Sequence, residues 1–330
     1  MKKPRVGFLG VGWIGRSRME AMLATNLIDA AAIADPSAEM VAEASKLAPG
    51  VAVVDGLEAM LAMGLDGVVI ATPSALHAAQ SIRALEAGVA VFCQKPLGRD
   101  AAEARAVVDA ARAADRLLAV DFSYRHTAGM AAIAELVRSG ELGRVFAVDL
   151  VFHNAYGPDK PWFYDRVRSG GGCVMDLGVH LVDLAMWCLG ADAASDVHAQ
   201  LFAGGAPLSG EAVEDYAVAQ MTTGGAAVRL ACSWRLQAGV DAEIGATFYG
   251  TEGGAGFRNV GGSFYDFEAT RFRGTTREPL AGPPDDWGGR AAADWARRLA
   301  EGARFDPAAE EVVAVSRMLD QVYGNKAPPL

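Results

Sequence analysis

The chain has 330 residues, of which 52% are hydrophobic and 21% charged, and a formal net charge of −10 at pH 7. That length supports two domains of ordinary size, each able to bury a core, and the composition is globular, not disordered. An acidic chain with no dense Lys/Arg run offers no face for nucleic acid, so a nucleic-acid partner is not expected.

The first segment, MKKPRVGFLGVGW, breaks its apolar run with Gly and Arg within a few residues, so neither a signal peptide nor a membrane span is expected. From Arg5 to about Phe122, short apolar runs (RVGFL, DAAAIAD, VAVV, GVVIA, VAVFC, LLAVDF) alternate with helix-forming stretches such as AEMVAEASKLA and DAAEARAVVDAARAAD. Runs apolar throughout, alternating with helices, predict a parallel sheet covered on both faces. The first run leads into GVGWIG, in which Gly10, Gly12 and Gly15 hold a dinucleotide-binding spacing. Gly10 permits the tight turn, Gly12 lets backbone approach a pyrophosphate, and Gly15 lets the helix pack closely on the strand. Trp13 and Ile14, inside the loop, join the cofactor-binding set.

Asp35 closes the second run about 20 residues later, where a carboxylate binds ribose hydroxyls. It would repel a 2′-phosphate, which favours NAD, although the nearby Arg16 and Ser37 leave NADP open. The fourth run ends in ATPSALH, placing Thr72, Pro73 and His77 at the cofactor crevice. The fifth ends in VAVFCQKPLG, so Gln94 and Lys95 lie on the same sheet edge, with the Lys95 ammonium pointed at the cofactor's reactive ring.

After Phe122 the rhythm changes. SYRH puts Tyr124 and Arg125 where a substrate cleft would open; a helix over residues 130–138 and the strand RVFAVDLVF follow. A polar, aromatic loop then carries PDKPWFYD, in which Lys160, Trp162, Phe163 and Tyr164 form either a wall for sugar C–H surfaces or loop packing. Next comes GGGCVMDLGVHLVDL, residues 170–184, whose Asp176 and His180 lie one helical turn apart. Taken alone, that pair also fits a helix-start aspartate and a core histidine, or, with Asp183, a metal site; no further His/Cys cluster supports a metal, and none is expected. The alternating segments EDYAVAQMT, AAVRLACSW, AEIGATFYG and SFYDFEATRF predict an antiparallel sheet with one buried face. Helices over residues 290–300 and 309–323 close the chain. Cys93, Cys173, Cys188 and Cys232 form no CxxC pair and sit in apolar segments, as buried thiols in a reducing, cytoplasmic setting do. The expected fold class is α/β: a Rossmann doubly wound domain over residues 1–122, then an α/β domain with an open, mostly antiparallel sheet over residues 123–330.

The order GVGWIG, ATPSALH, QKP and GGGCVMDLGVHLVD, spanning nearly the whole chain, resembles the Gfo/Idh/MocA family of nicotinamide-dependent sugar and polyol oxidoreductases. The family's Glu-Lys-Pro reads Gln94-Lys95-Pro96 here, retaining the lysine and losing the carboxylate. The resemblance implies a second domain whose open sheet forms the subunit interface, hence a homodimer or homotetramer. It also implies that Asp176 and His180 are catalytic. Oxidising a secondary alcohol requires the hydroxyl proton to leave as hydride departs, and a histidine with a pKa near neutrality suits that role. Asp176 would orient the histidine or grip a substrate hydroxyl, and Lys95 would stabilise the developing alkoxide. The expected activity is hydride transfer between NAD(P) and a secondary hydroxyl of a sugar, inositol or related polyol. A glycosidase using bound NAD, and a non-catalytic cofactor-sensing regulator of the same fold, remain the rivals.

Overall fold

The computed structural model describes residues 2–324. The first six apolar runs are strands β1 (Arg5–Leu9), β2 (Asp29–Ala34), β3 (Ala52–Val53), β4 (Gly67–Ile70), β5 (Ala90–Cys93) and β6 (Leu118–Val120). Between them run helices α1 (Trp13–Ala24), α2 (Ala38–Ser45), α3 (Leu57–Leu61), α4 (Ser74–Glu86) and α5 (Ala101–Ala114). The strands pair in parallel in the order β3-β2-β1-β4-β5-β6. That order reverses between β1 and β4, which makes the carboxyl ends of those two strands a topological switch point, the place where open α/β sheets bind ligands. β4 and β5 are buried at every residue, as strands covered on both faces must be.

The chain forms two compact units, and they are not two contiguous halves. Gly289–Val313 belongs with residues 1–98 and 102–123, whereas the sequence reading left this segment in the second domain. The reason is packing. Helix α9 (Arg290–Ala300, numbered in chain order after α6 to α8 below) carries Trp295, which is 1% exposed and lies 5.9 Å from the Phe92 ring. Gly67 makes room for it, since a Cβ there would stand 2.6 Å from the indole. Burying an aromatic of that size contributes about 3 kcal/mol.

The second unit contains helix α6 (Ala128–Arg138), strand β7 (Val145–Asn154), the short helix α7 (Arg166–Ser169) and a π-turn over Val174–Gly178 that continues as α8 (Val179–Leu189). Strands β8 (Ala194–Ala203), β9 (Ala206–Pro207), β10 (Tyr216–Thr223), β11 (Ala226–Ser233), β12 (Ala242–Gly250), β13 (Gly254–Asn259), β14 (Phe267–Arg273) and β15 (Thr276–Ala281) follow. Helix α10 (Glu310–Val322) ends the described chain, and from Ala314 onward it counts with this unit. The nine strands order as β15-β14-β13-β12-β7-β11-β10-β8-β9, antiparallel except for β11 beside β7. Alternate residues such as Val148, Leu150 and Phe152 of β7 are buried, while Asp149 and Val151 face the other side. α8 is buried along nearly its whole length. The stretch Arg166–Leu189 is long and apolar enough to cross a membrane, but 83% of its most apolar window is buried within the protein, as in a core helix.

Candidate active site

The glycine turn is built for a tight fit on two sides and left open on the third. Gly10 has a φ of +83°, and a Cβ there would stand 2.5 Å from the Ala71 carbonyl oxygen. A Cβ on Gly15 would meet the Gly10 oxygen at 2.0 Å, whereas one on Gly12 would meet nothing within 4 Å. Gly12 caps α1 with no side-chain bond and no acid in the first turn, so the helix N-terminus is free for an anion. Trp13 beside it is 60% exposed, and Ile14 is half-buried. Asp35 does more than the sequence implied. Its Oδ2 accepts from the Val11 N–H at 2.9 Å and its Oδ1 from the Ser37 N–H at 2.9 Å, which clasps the glycine turn to the end of β2. Each oxygen keeps a second lone pair for a ribose hydroxyl. A bare helix end, open space over Gly12 and a fixed carboxylate fit a dinucleotide.

Three of the residues expected at the cofactor, His77, Thr72 and Gln94, have partners within the protein. His77 is 2% exposed, with Nδ1 2.7 Å from the Pro96 carbonyl and Nε2 2.6 Å from the Thr72 carbonyl, so it braces the end of β4 against the segment after β5. Burial lowers its pKa against the pull of those two carbonyls. Thr72 donates its hydroxyl to Gln80 at 2.6 Å, and Pro73 caps α4. Beside Lys95, which ends in a cis bond to Pro96, Gln94 donates its amide to Asp121 Oδ2 at 2.6 Å. Arg18 Nε donates to the same oxygen at 2.6 Å. Sequence reasoning singled out neither Arg18 nor Asp121, because buried charges in the middle of a helix and at a strand end carry no motif.

In the second unit the three glycines give way to the protein itself, and not to a sugar as a backbone-open run would suggest. Added Cβ atoms would meet the Arg99 Cβ at 2.9 Å from Gly170, the Tyr323 hydroxyl at 2.0 Å from Gly171 and the Glu214 carbonyl oxygen at 1.9 Å from Gly172. Glu214, 1% exposed, accepts on one carboxylate oxygen from the N–H groups of Gly172 and Val174 at 2.9 Å and from the Tyr323 hydroxyl at 2.7 Å. It thereby satisfies the N-terminus of the helix that carries the predicted pair. Burial raises its pKa against those donors. Neither Glu214 nor Tyr323 was foreseen; an acid beside Asp215 before a strand reads as surface.

Asp176 falls in a π-turn, in which the Val179 N–H reaches back to the Val174 carbonyl, and not in the regular α-helix expected. Such turns recur at functional sites. Asp176 Oδ2 accepts from the Trp234 indole at 3.1 Å. His180 is 7% exposed, with the Tyr124 ring edge-on at 4.9 Å and Phe152 at 6.4 Å. Tyr124, expected at the substrate, is 7% exposed and packs between His180 and Trp287. Burial, then the Asp176 charge, raises its pKa well above the ordinary tyrosine value.

Arg125, also expected at the substrate, grips Asp183 through Nε at 2.9 Å and a terminal nitrogen at 2.5 Å. Asp183, 1% exposed, thereby holds that guanidinium in a buried ion pair. Trp162 stacks on Phe163 at 3.8 Å, and Phe163 and Tyr164 pack edge-on to Trp234. The predicted aromatic wall thus stands beside the indole that holds Asp176. All four cysteines are free and buried.

Residues 4–122 match the family model described as an oxidoreductase family with NAD-binding Rossmann fold, and residues 130–255 match that of the GFO/IDH/MocA C-terminal domain. Inositol 2-dehydrogenase of Rhodococcus erythropolis (strain PR4 / NBRC 100887) is 30% identical over 322 residues, 88% of this chain and 90% of that protein. D-glucoside 3-dehydrogenase of Escherichia coli (strain K12) is 30% identical over 201 residues, 60% of this chain and 57% of that protein. The chain thus spans between half and three-fifths of the length of several curated relatives that it matches, 57%, 52% and 58% for three of them. A solved structure, levoglucosan dehydrogenase in complex with NADH and levoglucosan, shares the fold with a TM-score of 0.83 at 23% identity, covering 98% of this chain and 97% of that one. The chain belongs to the Gfo/Idh/MocA family.

Proposed function

We propose that the protein is an NAD-dependent oxidoreductase acting on a secondary hydroxyl of a sugar, inositol or related polyol. The observation that carries this reading is the pair Asp176, on the π-turn, and His180, in the first turn of α8, with the carboxylate held by Trp234 and the imidazole enclosed by Tyr124 and Phe152. When bound, the nicotinamide takes up or returns the hydride. His180 moves the hydroxyl proton, since an imidazole can both accept and release one. Asp176, fixed by the indole, holds a substrate hydroxyl or the histidine in place. Lys95 polarises the reacting oxygen. The stacked faces of Trp162 and Phe163 suit the C–H surface of a sugar. The names of the relatives support this substrate class.

Asp35 favours NAD over NADP, since a 2′-phosphate would meet its charge. The outward face of the nine-stranded sheet, where Asp149 pairs with Arg229 across β7 and β11, is the surface we assign to a homodimer or homotetramer. The net charge of −10 and four buried free thiols support a cytoplasmic protein without nucleic-acid or membrane partners.

The test is an NADH and NADPH fluorescence titration, followed by absorbance of reduced nicotinamide across a sugar and polyol panel. Lys95→Ala and His180→Ala should each lower turnover about 100-fold or more. Full turnover in either variant would remove the assignment. Glycoside cleavage without net NADH would select the NAD-using glycosidase instead.

A further inference from the structure

Asp121 sits at the end of β6, next to the end of β5, and its backbone N–H bonds the Cys93 carbonyl at 2.9 Å. It is 1% exposed. Its Oδ1 has no partner among the described residues, so its bonding is concentrated on Oδ2, which takes Arg18 and Gln94, each at 2.6 Å. Arg18 is itself 7% exposed, which makes this a buried ion pair with one neutral side chain attached.

That attachment fixes which way Gln94 faces. A carboxylate paired with a guanidinium is an acceptor only, so the nitrogen of the Gln94 amide must face it. The choice between amide orientations, often arbitrary, is here decided by the chemistry of the partner. The Gln94 oxygen is therefore turned away from Asp121 as an acceptor, at a strand terminus on the ligand-binding edge of the sheet and beside Lys95. A glutamate at 94 could not do the same, because its oxygen would take the place of the amide nitrogen 2.6 Å from Asp121 Oδ2 and set two carboxylates in contact.

We propose that Asp121, anchored by Arg18, is a positioning residue that turns Gln94 so that its Oε1 accepts a hydrogen bond from a hydroxyl in the nicotinamide-side half of the bound dinucleotide. The proposal rests on the NAD reading above. It also gives the glutamine of Gln94-Lys95-Pro96 a use that a glutamate beside Asp121 could not serve.

The experiment compares wild type with Asp121→Asn, Gln94→Glu and the double variant, measuring NADH affinity, ADP affinity and thermal unfolding. ADP has the adenosine and diphosphate that the glycine turn and Asp35 serve, and lacks the other half of the dinucleotide. Asp121→Asn should weaken NADH about threefold to tenfold, the worth of one mispositioned hydrogen bond, and leave ADP unchanged. Gln94→Glu should lower the unfolding temperature by about 3 °C or more and weaken NADH. In the double variant the amide introduced at position 121 donates to the carboxylate introduced at position 94, so both defects should largely reverse. Equal weakening of NADH and ADP by Asp121→Asn would reduce Asp121 to a structural role and overturn the proposal. So would a double variant whose losses simply add. Failure of the wild type to bind NADH would overturn the cofactor reading and the ligand half of this proposal together. The unfolding cycle would still decide the coupling of 94 with 121.

Discussion

Gly10–Gly15 in the first unit and Gly170–Gly172 in the second are both glycine turns that feed directly into a helix, and they make opposite use of the missing side chains. At Gly12 a Cβ would point into space with nothing within 4 Å, and the helix end behind it has no side-chain cap. At Gly171 and Gly172 a Cβ would strike Tyr323 and Glu214 at 2.0 and 1.9 Å, and Glu214 already occupies the helix end. One helix N-terminus is kept for a ligand's phosphate. The other is sealed by the protein's own carboxylate, which fixes the helix that carries Asp176 and His180. A glycine cluster before a helix says only that something comes close; what comes close is decided elsewhere in the chain.

The sharpest way to break the comparison is to add one methyl group at each turn. Gly172→Ala forces a contact with backbone, which cannot swing aside as a flexible side chain would. It should cost about 3 kcal/mol or more, or prevent folding, as read by urea unfolding. Gly12→Ala meets nothing, and its φ of −60° suits alanine, so stability should change by less than about 1 kcal/mol. NADH affinity should nevertheless fall about tenfold or more, because the methyl group fills the approach to the helix end. If both variants lost stability alike, or Gly12→Ala bound NADH as wild type does, the two turns would not differ in kind.

What the sequence made legible follows the same division. Strands buried on both faces, such as GVVI and AVFC, announced themselves as uninterrupted apolar runs, and Gly10, Gly12, Gly15 and Asp35 stood at motif spacing. Asp176 and His180 could be read because both are polar in an apolar helix. The edge strands β9 and β15 could not, since they bury almost nothing and so show no alternation. Glu214, Tyr323, Arg18 and Asp121 were illegible for another reason. Each matters through a partner distant in sequence, 42 residues for Glu214 and Gly172 and 103 for Arg18 and Asp121, and a buried carboxylate looks like a surface one until its partner is known. His77 was placed with the cofactor because its position is right, and nothing in the sequence signals that its two ring nitrogens would each stand beside a backbone carbonyl, of Pro96 and of Thr72.

The smallest effect tests whether the sealed helix end carries a charge cost. Burial raises the pKa of Glu214 above its ordinary value of 4.5, so the folded state favours the protonated form more than the unfolded chain does. A group whose pKa moves in that direction contributes stability that is fully present below pH 4.5 and lost as pH rises through the folded-state value. Glu214→Gln keeps an acceptor oxygen for Gly172, Val174 and Tyr323 and has no proton to lose. Acidification affects many other groups, but these are common to both proteins and cancel in the difference. The unfolding free energy of Glu214→Gln minus that of wild type should therefore climb as pH rises from about 4 toward 8, by about 1.4 kcal/mol for each pH unit that separates the folded pKa from the unfolded one. A difference that stayed flat would mean that the two backbone N–H groups and the Tyr323 hydroxyl fully offset the cost of burying the charge, and that this helix end holds its carboxylate as readily as water does.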